Sequence, residues 1–114
     1  DEISIADKTE VAELKEGMVR RFSIQPEDFG IRRTPIDTIK ATDSADSLRI
    51  IRSALDNQPG PARDIVQLNA GAAIYTAGLA KTLAEGVEKA DQAITSGEAR
   101  NRLDRLVILT QGFA

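Results

Sequence analysis

The sequence contains no cysteine, no histidine and no tryptophan. Without cysteine there are no disulfides, no thiolate nucleophile and no zinc–sulfur centre. Without histidine the usual general base and the commonest transition-metal ligand are both gone. Aromatic residues make up only 4% of the chain, so any core must be built from Ala, Ile, Leu and Val. No apolar run approaches the ~20 residues of a membrane span, and no signal peptide is visible, so the expected setting is reducing and cytoplasmic. The charge balance lacks a basic excess. The net charge is −3, with Lys and Arg scattered rather than gathered into a stripe, which argues against a binder of nucleic-acid backbone.

What is present fits one small domain: 114 residues, 41% of them hydrophobic. The pattern changes character near Pro35. Before it, Glu10–Leu14 and Val19–Ile24 read as strands flanking Lys15-Glu16-Gly17-Met18. Gly17 takes a positive φ at little cost, so the pair predicts a β-hairpin, with Phe22 and Ile24 on one face. Residues 25–40 carry Pro26, Gly30 and Pro35 and read as an irregular connection.

From Thr42 onward the periodicity is helical. A first helix is expected over Ala45–Asp56, capped by Thr42, Asp43 or Ser44, with Leu48, Ile51 and Leu55 inward and Ile50 and Ala54 widening that stripe. Pro61 opens a second, running to about Ala77. This helix is apolar or small on most sides and is expected to be central. Gly71 lies inside it at a propensity cost of up to ~1 kcal/mol, which close approach of a neighbouring element would explain. Thr82 and Glu85 have the spacing of a capping box for a third helix, with Val87, Ala90 and Ile94 inward. A fourth begins near Glu98, with Ala99, Leu103, Leu106 and Val107 inward, Glu98–Arg102 and Arg100–Asp104 at ion-pair spacing, and Gly112 as its stop.

Candidate chemistry is sparse. No nucleophile–base set is possible, and no glycine loop has the form that cradles phosphate. Arg20-Arg21 and Arg32-Arg33 could bind anions or could be solvated surface charge. Asn69, amid apolar residues, is read as satisfying a nearby backbone group rather than a ligand. Tyr75 is read as core with its hydroxyl at the rim. Asp1-Glu2, ahead of Ile3 and Ile5, allows two readings: a solvated chain end, or carboxylates for a hard cation such as magnesium.

Three motifs carry a resemblance. Thr9–Gly17 (TEVAELKEG), Pro26–Gly30 (PEDFG) and Gly60–Ala70 (GPARDIVQLNA) appear in the order and approximate spacing found in the anthranilate phosphoribosyltransferase family, and Glu85-Gly86-Val87 and Ala93–Ala99 (AITSGEA) continue the match across nearly the whole chain. The resemblance implies that residues 1–114 are the C-terminal third of the family's enzyme and the C-terminal part of its α/β domain. Within that third, residues 1–34 form the hairpin and connection and residues 42–114 the helices, a small α+β unit taken alone. It implies transfer of phosphoribose from phosphoribosyl pyrophosphate to anthranilate, with magnesium, in tryptophan biosynthesis. Asp1 and Glu2 fall on the family's metal-binding Asp-Glu pair. The family's pyrophosphate loop, anthranilate-contacting Arg and Lys- and His-bearing loop would lie upstream, so no catalytic or substrate-contacting residue is assigned here and the chain alone is expected to be inactive. The family's homodimer contacts lie mainly on a helical domain outside these residues. The competing readings are a non-catalytic, nucleic-acid-binding relative, a pyrimidine nucleoside phosphorylase segment, and a standalone helical interaction domain.

Overall fold

A computed structural model of the chain describes residues 2–113. Asp1, one of the two expected metal ligands, lies outside the described residues. The described part is a two-stranded antiparallel hairpin followed by four helices: β1 (Thr9–Lys15), β2 (Met18–Ile24), α1 (Ser44–Leu55), α2 (Pro61–Thr76), α3 (Leu83–Thr95) and α4 (Glu98–Gln111). The connection expected to be irregular contains two 3-10 turns, Pro26–Phe29 and Ile36–Ile39. No described helix is long and apolar enough to cross a membrane.

The hairpin turn is tighter than its sequence suggests. Lys15 pairs directly with Met18, so only Glu16 and Gly17 form the loop. Both have positive φ, 51° and 76°. That is the geometry a two-residue hairpin needs to match strand twist, and Glu16 accepts a conformation usually left to Gly or Asn. Val11 stands opposite Phe22 and Thr9 opposite Ile24, which puts these side chains on one face. Ile24 is buried, whereas Leu14 and Val19, on the other face, are 72% and 63% exposed.

Helix α2 is central, as its composition predicts. It packs chiefly on α3 and also on α1 and the Ile36–Ile39 turn. Leu68 is fully buried in a cluster with Ile5, Ile31 and Val87, edged by Ile3, Phe29, Ile39 and Ile65. Gly71 has the packing reason anticipated for it: a Cβ there would lie 2.5 Å from Val87 Cα. Helix α3 buries Val87, Ala90 and Ile94 as expected. The Thr82 hydroxyl accepts from the Glu85 N–H at 3.1 Å, but Glu85 accepts from the Lys81 N–H rather than that of Thr82. Only one half of the capping box therefore forms.

Two helices differ from expectation. Asp43 caps α1, accepting from Asp46 N–H at 2.8 Å. Of the expected stripe, Ala54 is buried and Ile50 and Leu55 are half-buried, together with Ser47, whereas Leu48 and Ile51 are 45% and 44% exposed. The helix has apolar residues on two sides, so pattern alone did not decide which side meets α2. In α4, Ala99 and Leu103 are half-buried, but Leu106 and Val107 are exposed because no described element lies over the last two turns. Arg100 pairs with Asp104 at 3.3 Å and with Asp56 at the end of α1, whereas Glu98 and Arg102 form no second pair.

Candidate functional site

Residues 2–8, ahead of β1, have neither helix nor strand hydrogen bonding of their own, yet they are pinned at several points. Asn69 on α2 grips Ile3. Its Oδ1 accepts from the Ile3 N–H at 2.9 Å, and its Nδ2 donates to the Ile3 carbonyl at 3.0 Å. The same Nδ2 donates to the Ile65 carbonyl one helical turn back, at 3.0 Å. Ser4 N–H donates to Thr9 Oγ1 at 3.1 Å, and Ile5, fully buried, accepts from Thr34 N–H through its carbonyl at 2.9 Å. The two isoleucines enter the core and hold the segment against α2, while Glu2 stays exposed at its edge.

The assignment of Asn69 to a backbone group therefore holds. The sequence did not show that this group lies 66 residues away, beside the candidate metal ligands. Glu2 is the one of those two ligands within the described residues. No group of three or more carboxylates forms a metal cluster among them. Magnesium takes only one or two protein carboxylates and completes its shell with water and phosphate oxygens. An exposed carboxylate beside an anchored main chain suits that donor requirement.

The arginines singled out in the sequence go to structural partners or to solvent. Arg33 donates to Glu27 at 3.1 Å, Asp7 at 3.2 Å and Gln25 at 3.1 Å, tying the first 3-10 turn to the leading segment. Its guanidinium holds the Glu27 carboxyl below the ordinary range. Arg20 pairs with Glu13 across the hairpin at 3.3 Å. Arg21 and Arg32 are exposed.

Tyr75 behaves as read. Its ring is half-buried and its hydroxyl donates to Glu13 Oε1, with Lys15 Nζ lying 5.6 Å from the ring centroid. That hydroxyl, ahead of Arg20, lowers the Glu13 carboxyl below its usual pKa. Sequence reasoning passed over Arg63, which is mostly buried. It donates to Asn57 at 2.7 Å, Gln67 at 2.8 Å and Asp91 at 2.5 Å, joining the end of α1 to α2 and α3. The i,i+4 spacing of Arg63 and Gln67 was the available signal.

Comparison with known proteins agrees with the motifs. Residues 1–100 match the profile described as "Glycosyl transferase family, a/b domain". An anthranilate phosphoribosyltransferase of Nitrosospira multiformis is 55% identical over 107 residues, which is 94% of this chain and 31% of that protein. Those of Thioalkalivibrio sulfidiphilus and Methylococcus capsulatus are 54% and 49% identical, covering 96% and 100% of this chain and 32% and 33% of theirs. The chain thus spans about a third of the length of these relatives. The resemblance drawn from the motifs stands, and neither a nucleic-acid-binding relative nor a nucleoside phosphorylase is favoured. With 100 of its 114 residues matched, the chain belongs to the glycosyl transferase family, within its α/β domain.

Proposed function

We propose that this chain works as one third of an anthranilate phosphoribosyltransferase, moving phosphoribose from phosphoribosyl pyrophosphate to the amine of anthranilate in tryptophan biosynthesis. The carrying observation is identity of 49–55% over at least 94% of the chain with relatives bearing that name. In this reading Asp1 and Glu2 hold magnesium, which when bound neutralises charge on the pyrophosphate leaving group. The chain's own contribution is to present the Glu2 carboxylate from a segment fixed to α2, while the pyrophosphate and anthranilate contacts come from other parts of a polypeptide of the relatives' length. The setting is cytoplasmic, and the active assembly is a homodimer formed through elements outside these residues.

A steady-state assay with both substrates and magnesium tests this reading. A polypeptide of the relatives' length should consume anthranilate in a phosphoribosyl pyrophosphate-dependent way, and residues 1–114 alone should not. Absence of turnover in the long form, or turnover by residues 1–114 that survives repurification, would refute it.

A further inference from the structure

We infer that Asn69 is a positioning residue for the cation site: by holding both main-chain groups of Ile3 it sets where the Glu2 carboxylate stands. This inference rests on the assignment of Glu2 to magnesium proposed above. Over residues 2–8 the leading segment belongs to no ladder, so its course is fixed by the packing of Ile3 and Ile5 and by individual hydrogen bonds. Of these, the Asn69 bonds are the ones made to the residue next to Glu2. An extended residue shows its N–H and C=O on the same side, and a carboxamide presents a matching acceptor and donor, as a neighbouring strand would.

The orientation of that carboxamide is fixed by its surroundings. Nδ2 faces two carbonyls, Ile3 and Ile65, each at 3.0 Å, and Oδ1 faces one N–H. The flipped amide would set donor against donor and oxygen against two oxygens. Neither Leu, Ala nor Asp can reproduce the set, since none supplies an acceptor together with two donors. Helix α2 needs no Asn here for its own sake. Asn is a poor helix former, and its neighbours Leu68 and Ile65 belong to the apolar cluster. Metal ligands must be held to about 0.5 Å by the groups that support them, and loss of such support typically lowers metal affinity by about 10- to 100-fold.

The test uses the full-length protein with manganese as the probe cation and phosphoribosyl pyrophosphate present, reading free manganese by electron paramagnetic resonance. Melting temperatures are recorded beside each titration. Asn69→Ala should weaken manganese binding about tenfold or more. Ile94→Val removes a methylene from a buried residue of α3 outside the Ile5–Leu68 cluster; it should lower the melting temperature and leave manganese binding unchanged. Asn69→Asp keeps the acceptor but turns a carboxylate toward the two carbonyls, and it decides the matter if the alanine variant does not accumulate: it too should bind manganese more weakly. Wild-type manganese affinity in the folded Asn69 variants would overturn the inference. So would an equal loss in Ile94→Val, which would make the effect one of stability alone. Glu2→Gln separates the two proposals. If it binds manganese as the wild type does, the magnesium assignment fails and this inference falls with it; if it weakens binding while the Asn69 variants do not, only the positioning role is lost.

Discussion

The carbonyl oxygen of Gly71 on α2 stands 2.3 Å from where a Cβ on Gly86 of α3 would be. The converse is nearly as tight, since a Cβ on Gly71 would meet Val87 Cα at 2.5 Å. Two glycines let the helices approach until backbone touches backbone, and Leu68 and Val87 close the core beside them. Gly86→Ala should therefore destabilise the protein. The helix-propensity gain of up to ~1 kcal/mol is outweighed because the obstructing atom is main chain, which has no rotamer to move. Overpacking of this kind costs about 1–3 kcal/mol or more. Denaturant titration checks the sign, and a variant as stable as wild type would mean that α2 and α3 can separate without loss.

Leu68→Ala should cost far more than Leu109→Ala. Leu68 has no exposed surface, whereas Leu109 is 60% exposed near the end of α4. Truncating a buried Leu costs about 2–5 kcal/mol through lost transfer energy and the cavity left behind. Equal shifts in denaturant midpoint would show that α2 is not the centre of the fold.

Tyr75→Phe should make stability less dependent on pH in the acid range. The folded-state pKa of Glu13 is depressed, first by the Tyr75 hydroxyl and then by Arg20. A depressed carboxyl stabilises the fold above its ordinary pKa, and this contribution disappears as pH falls through the folded value. The wild type should thus melt higher than Tyr75→Phe at pH 7, and the gap should close on acidification through the carboxylate range. A gap that is constant with pH would assign the effect to packing alone.

Residues 1–114 in isolation should self-associate. Leu14, Met18 and Val19 are exposed toward the hairpin tip, and Leu106, Ile108, Leu109 and Phe113 are exposed toward the end of α4. Exposed apolar surface on this scale usually finds a partner, and a two-stranded hairpin offers unpaired edges. Sedimentation at about 0.1 mM with hydrophobic-dye binding is the check; a clean monomer that binds no dye would mark an autonomous domain.

Much of this architecture was legible because it is local. Helix starts at Asp43, Pro61 and Thr82 follow from capping chemistry, and the central place of α2 follows from its lack of a polar face. The motifs around Pro26, Arg63 and Asn69 were enough to indicate the relatives. What pattern did not give depends on what lies opposite. The buried face of α1 was chosen by contact with α2, and Leu106 and Val107 stay exposed for want of a covering element among the described residues. The link from Asn69 to Ile3 was invisible for the same reason: no periodicity within one helix encodes a bond to a residue 66 positions away.

The most direct measurement is the magnesium dependence of the rate in the full-length protein carrying Asp1→Asn or Glu2→Gln, recorded beside a melting curve. Removing a metal-facing carboxylate should raise the magnesium needed for half-maximal rate about tenfold or more in variants that the melting curve shows to be folded. An unchanged magnesium profile in both variants would contradict the metal assignment and reduce the pair to a surface feature.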